Sequence, residues 1–144
     1  MTSDLPTAPQ AQGRYVPVVV YGGLAYVAGM TPRVNGVLAV RGLVGTELTA
    51  EAAFDAAGIA ARNAVAAVVA AVGSFDAIAR CLRMTVYIAS SPGFTDHAAV
   101  ADGASQALHE LLGDRGQVAR SAVGVASLPS GAPVEVELTV AIHS

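Results

Sequence analysis

The chain has 144 residues, 53% of them hydrophobic and only 13% charged, and a formal net charge of −3. That length fits one domain able to bury about two-thirds of its unfolded surface, and a mean hydropathy of +0.54 predicts that surplus apolar surface goes into a subunit interface. The eight basic residues are all arginine, scattered from Arg14 to Arg120, so no basic stripe exists for a phosphate backbone, and the lack of lysine excludes Schiff-base catalysis of the aldolase or pyridoxal type.

Residues 1–12, rich in proline and alanine, read as a loose tail on a single domain that spans residues 1–144. Met1 to Pro6 contain neither a basic residue nor an apolar stretch, so no secretory signal is expected and the cytoplasm is the expected compartment. Strands are predicted over residues 16–20 and 24–28, on either side of a Tyr21-Gly22-Gly23 hairpin signal. Asn35-Gly36 marks another turn, and a short third strand is predicted around residues 38–43. Thr49 is placed to cap a helix that runs to Val72, with Glu51 in its first turn and Phe54, Ala57, Ala61, Ala64, Val65, Val68 and Val72 on one core-facing stripe. Gly73-Ser74 ends that helix and keeps its apolar run short of the roughly eighteen residues a membrane span needs, so no membrane association is expected.

Residues 81–89 read as a strand with Leu82, Met84, Val86 and Ile88 on an apolar face and Arg83, Thr85 and Tyr87 on a mixed one. The single cysteine, Cys81, excludes an internal disulfide and a multi-cysteine metal site and reads as core. After the Ser91-Pro92-Gly93 break, Thr95 is the predicted cap of a second helix ending near Leu112. His97, His109 and His143 are too dispersed for a metal triad and read as solvent-facing. Two strands close the chain, over residues 120–125 and 134–140. In the second, Val134, Val136, Leu138, Val140 and Ile142 alternate with Glu135, Glu137, Thr139 and Ala141. No nucleotide-binding glycine loop or Ser-His-Asp arrangement is evident.

The order β-β-β-α-β-α-β-β predicts an α+β domain with two helices on one sheet face. The opposite face is expected to carry Arg83, Tyr87, Arg120, Glu135 and Glu137. Arg120 suits a carboxylate, because its planar fork donates two parallel hydrogen bonds and keeps its charge. Residue type alone leaves it open as an anchor for an anionic small molecule or as the ion-pair partner of Glu135, Glu137 or a neighbouring subunit. Glu135 is a poor base at the ordinary pKa near 4.3 and becomes a useful one only if burial raises it.

Ala119-Arg120-Ser121-Ala122-Val123, Leu128-Pro129 and Val134-Glu135-Val136-Glu137 closely resemble the C-terminal signature of the YjgF/Rid family, the reactive-intermediate deaminases. Gly13-Arg14-Tyr15-Val16-Pro17 and Val27-Ala28-Gly29-Met30-Thr31-Pro32 resemble its earlier elements, and Ser91-Pro92-Gly93-Phe94 with Gly103-Ala104-Ser105 resembles one branch of it. The resemblance implies a chorismate-mutase-like domain, a mixed sheet with two helices packed on one face, assembled as a homotrimer with clefts between subunits. It implies Arg120 and Glu135 as the catalytic pair, Arg120 holding the substrate carboxylate and Glu135 beside the attacking water. Tyr15, Gly29 and Ala122 fall at its other substrate-binding positions. Ala28, Met30 and Ala122 depart from the serine, glutamine and cysteine common in the family.

The activity implied is hydrolysis of a small 2-imino or enamine acid to a 2-oxo acid and ammonia, without metal or organic cofactor. The partner implied is a small carboxylate-bearing imine or 2-oxo acid. The three departures favour an alternative, a non-catalytic trimer that binds small carboxylates or a partner protein. Endoribonuclease activity, ascribed to some relatives, finds no support in the charge pattern, and a nucleic-acid partner is not expected.

Overall fold

The computed structural model describes residues 5–143, so residues 1–4 of the expected tail lie outside it. Residues 5–12 form no helix or strand, yet Leu5 packs against the core. Among the described residues the elements are β1 (Val18–Tyr21), β2 (Leu24–Met30), β3 (Arg33–Val34), β4 (Val37–Leu38), α1 (Ala50–Val72), β5 (Ile78–Ala89), α2 (His97–Leu112), β6 (Ala119–Val125) and β7 (Val134–Ile142).

The local signals act as their chemistry requires. Gly22 and Gly23 both take positive φ, 61° and 79°, which lets β1 turn tightly into β2. At the start of α1 the Thr49 hydroxyl accepts a hydrogen bond from the Ala52 amide at 3.0 Å, and Gly73 closes the helix at φ 90°. The length and apolar composition of α1 alone would suit a membrane span, but eleven of its residues are buried within the fold.

Five strands form one sheet in the order β1-β2-β7-β5-β6. Neighbours are antiparallel except β5 and β6, which run parallel across the α2 crossover. Helices α1 and α2 cover one face, where Val27, Met84, Val86, Ile88, Val136 and Leu138 join their alanines in a single core. This is the expected α+β arrangement of two helices on a mixed sheet. The other face is bare in the single chain, and Val19 and Tyr26 are about half exposed on it.

Three local expectations are corrected. The predicted third strand over residues 38–43 is replaced by the β3–β4 hairpin around Asn35-Gly36, because Gly42 at φ 121° bends the following chain out of any ladder. Helix α2 starts at His97 with Asp96, not Thr95, at its cap position; the preceding turn continues to Phe94, whose amide bonds to the Ser91 carbonyl at 3.0 Å. In β5 a register shift between Cys81 and Arg83 sends Cys81 and Met84 together into the core and leaves Leu82 exposed. That bulge breaks the expected Leu82-Met84-Val86-Ile88 face.

Helix α2 approaches α1 closely because Gly103 has no side chain: a Cβ there would overlap the carbonyl oxygen of Phe54. Gly103→Ala is expected to destabilise the fold by about 1–3 kcal/mol through overpacking. Gly58→Ala, whose Cβ would meet the Gly103 carbonyl at an ordinary 3.4 Å, is expected to be neutral or to stabilise by up to about 1 kcal/mol from helix propensity. Urea unfolding of both variants checks this contrast, and equal effects would contradict it.

Candidate functional site

Strand β7 has β2 on one side and β5 on the other, which places Glu135, near the start of this middle strand, on the bare face. Beside it β2 has a bulge: between the pairs Val27–Leu138 and Met30–Val136 it places two residues, Ala28 and Gly29, where β7 places one, Glu137. The bulge brings the Gly29 backbone beneath the Glu135 carboxyl so closely that any Cβ at Gly29 would overlap Oε2. Tyr15, Thr31, Arg33 and Ser130 complete a hollow of about 80 Å³, room for about three waters or a small acid. The Tyr15 hydroxyl accepts a hydrogen bond from the Gln12 amide at 3.0 Å, which fixes the ring at the rim.

Burial raises the Glu135 pKa above the ordinary carboxylate value, and the nearby Glu137 charge raises it further. Glu137 is itself engaged: the Tyr87 hydroxyl donates to its Oε1 at 3.0 Å. That bond, with burial and the two glutamate charges, raises the Tyr87 pKa. On the same face Arg83 donates to the Ser121 hydroxyl at 2.6 Å.

Arg120 is not on this face, contrary to expectation. Strand β6 pairs Arg120 with Met84 and Ala122 with Val86, and paired residues in a parallel ladder share a face, so both look toward the helices. Arg120 Nη1 donates to Asp102 Oδ1 at 2.8 Å and to the Ser105 hydroxyl at 3.0 Å, both on α2. Ala122 packs against the core, and Met30 is buried in it. Within one chain, then, Tyr15, Gly29 and Glu135 come together while Arg120 and Ala122 lie across the sheet.

Two residues not anticipated from the sequence shape the hollow. Arg33 donates from Nη1 to the Gly36 carbonyl at 2.9 Å and from Nη2 to the Ser130 hydroxyl at 3.2 Å. Asn63, 1% exposed in α1, donates to the carbonyls of Thr31 and Arg33 at 3.1 and 2.9 Å and so pins the segment that carries them. The available signal was a lone amide among core-facing alanines, since a buried amide needs partners.

The remaining groups have little to offer as a site. A larger hollow of about 480 Å³ lies between residues 5–7, β3 and α1. Arg33 and Asn63 line it too, but it contains none of the predicted site residues and its Arg62 is paired with Glu110, so volume alone does not make it the better candidate. Burial pushes the Cys81 thiol up to about 12, against the smaller opposing effect of Arg80 and Arg115, which keeps it an inert core group. His109 and His143 are exposed, but His97 is not free in solvent: its ring meets Phe94 edge-on at 5.3 Å and lies over Gly124. Among the described residues no three His, Cys, Asp or Glu side chains gather as metal ligands.

The raised Glu135 pKa fixes a sign. Its contribution to stability is present below the unfolded value near 4.3 and is lost as pH rises through the higher folded value. Glu135→Gln, neutral throughout, is expected to melt above wild type at pH 7 and level with it below about pH 4. Thermal unfolding at the two pH values tests this; a wild type that melts higher at pH 7 would contradict it.

The family description endoribonuclease L-PSP matches residues 5–142. Protein TCP17 of Trypanosoma cruzi is 36% identical over 141 residues, 97% of this chain and 88% of its own length. The crystal structure of Atu1372 from Agrobacterium tumefaciens, a protein of unknown function, superposes with a TM-score of 0.91 at 40% identity, covering 96% of this chain and 86% of that one. TdcF from E. coli, solved with bound serine, superposes with a TM-score of 0.69 at 27% identity, covering 95% and 94% of the two chains. With a match over nearly its whole length and a shared architecture, the chain belongs to the endoribonuclease L-PSP family, also known as the YjgF/RidA family.

Proposed function

We propose that this protein is an enamine/imine deaminase that converts small 2-imino acids to 2-oxo acids and ammonia, acting as a homotrimer with its clefts between subunits. The observation that carries this reading is the half-buried Glu135 carboxyl over Gly29, with its pKa raised, in a hollow sized for a small acid. The serine bound to TdcF supports a small carboxylate-bearing ligand.

An imine carbon is already electrophilic, so the site need only place a water against it and relay its two protons to nitrogen in turn. Glu135 takes one proton from that water as the C–O bond forms and passes it to nitrogen, giving a tetrahedral carbinolamine; it then takes the remaining hydroxyl proton and delivers it to nitrogen as the C=O bond forms and the C–N bond breaks. The imine and water thereby become a ketone and ammonia. An enamine first takes a proton on carbon to reach the imine. A carboxylate with a raised pKa is better matched to this exchange near neutral pH than an ordinary one.

In this reading Arg120 clamps the substrate carboxylate in a cleft of a neighbouring subunit, because in its own chain it faces away from Glu135. Its pairing with Asp102, whose side chain is 63% exposed, costs little to exchange, since solvent-screened pairs contribute about 0–1 kcal/mol. A second reading, carboxylate binding without turnover, is favoured by Ala28, which puts a methyl group rather than a hydroxyl at the β2 bulge.

Imino acids generated in situ by an amino-acid oxidase provide the test, read as ammonia and 2-oxo acid formed. Wild type is expected to accelerate hydrolysis, Arg120→Ala to lose about 10- to 100-fold in kcat/KM, the worth of a charge-assisted hydrogen bond, and Glu135→Gln about 100-fold or more. Acceleration unchanged in both variants would overturn the roles of Arg120 and Glu135, and a wild type that neither accelerates hydrolysis nor binds would sink the deaminase assignment. Saturable binding without acceleration would establish the second reading.

A further inference from the structure

We propose that Arg33 is a second anion anchor in the hollow, so that the preferred substrate is a dicarboxylate, a 2-imino diacid hydrolysed to a 2-oxo diacid. The inference rests on the hollow being the small-carboxylate site and adds the class of acid that enters it.

Three observations point the same way. Arg33 lines the hollow together with Tyr15 and Glu135, and its Nη2 is fastened to the Ser130 hydroxyl on the same wall. Among the described residues no carboxylate lies within salt-bridge distance of it. Its donors are also underused. A guanidinium has five N–H groups, and here Nη1 bonds one carbonyl and Nη2 one hydroxyl, while Nε is buried with no partner.

An arginine held this way is poorly explained as a structural group. A buried donor without an acceptor costs stability, and no carboxylate among the described residues takes up the charge. The backbone beneath it is nonetheless fixed, because Asn63 grips the carbonyls of Thr31 and Arg33 from the core. Fixed backbone and the Nη hydrogens left over from these two bonds make a preorganised receptor for a planar oxyanion. With Arg120 assigned to the carboxylate beside the reacting carbon, Arg33 is left for a carboxylate at the far end of the molecule. The chemistry at the imine carbon is unchanged, so Arg33 acts on selectivity and not on the reaction.

The product 2-oxoglutarate and its monoacid counterpart of equal carbon number, 2-oxopentanoate, separate the possibilities by calorimetric titration of the full-length protein. Wild type is expected to bind 2-oxoglutarate about 10- to 100-fold more tightly, the scale of one charge-assisted hydrogen bond. Arg33→Gln is expected to erase that preference. Arg33→Lys, which keeps the charge and loses the fork, is expected to retain part of the preference, and it carries the test if the glutamine variant does not fold. Equal binding of the two acids to wild type, or a preference untouched in both variants, would overturn the role of Arg33 and leave the carboxylate site intact. Binding of neither acid would remove the site itself and this inference with it.

Discussion

Strand β7 lies between β2 and β5, so its alternation of aliphatic and acidic residues decides both faces of the sheet at once. Val134, Val136, Leu138 and Val140 are buried against the helices, and their burial fixes the register that turns Glu135 and Glu137 to the other side. A slip of one residue would put two carboxylates into the core and four aliphatic side chains into water, a penalty no other interaction here could offset. The strand that is hardest to move therefore holds the candidate proton carrier. The β2 bulge at Ala28-Gly29 depends on this arrangement, because only a residue without a side chain leaves room for the Glu135 carboxyl above it.

Function and stability pull against each other around that carboxyl. A half-buried acid with a raised pKa and an arginine with an unpartnered buried nitrogen each weaken the fold that contains them. The compensation lies on the opposite face, where α1 and α2 pack alanine and glycine surfaces closely enough that Gly103 touches the Phe54 backbone. Asn63 links the two regions. Among the described residues it is the one buried polar side chain in the core, and both of its donor bonds reach across to the segment that lines the hollow. The helix layer thus positions pocket residues as well as covering the sheet.

What could be read from the sequence was governed by residues whose own pattern fixes their geometry. The Val-Glu alternation of β7, the Thr49 cap and the Gly22-Gly23 turn are local, and the structure keeps all three. The failures share a different cause. Arg120 is the second residue of a strand in which Ala122 and Gly124 alternate with Ser121 and Val123, a sequence with no apolar side to declare its facing, and its orientation comes from Met84 in the neighbouring strand. Leu82 obeys period two on paper, but the bulge beside it adds a residue that no alternation reveals. Arg33 belongs to a two-residue strand whose place depends on a side chain thirty positions away.

The position of Arg120 bears directly on how such a site can work. A carboxylate and a guanidinium on opposite faces of one sheet cannot both touch a molecule that fits a hollow of about 80 Å³. If both act on the same small acid, they must come from different copies of the chain. The bare face supplies a reason for copies to associate, since Val19, Tyr21 and Tyr26 are exposed on it at 52%, 80% and 48%, apolar area whose burial is worth about 25 cal/mol per Å². Association through that face would also draw water away from Glu135, raising its pKa in the same direction that burial within the single chain already does. Subunit assembly and proton affinity would then be coupled: conditions that hold the copies apart would lower the pKa of Glu135 toward the ordinary carboxylate value and weaken it as a base near neutral pH.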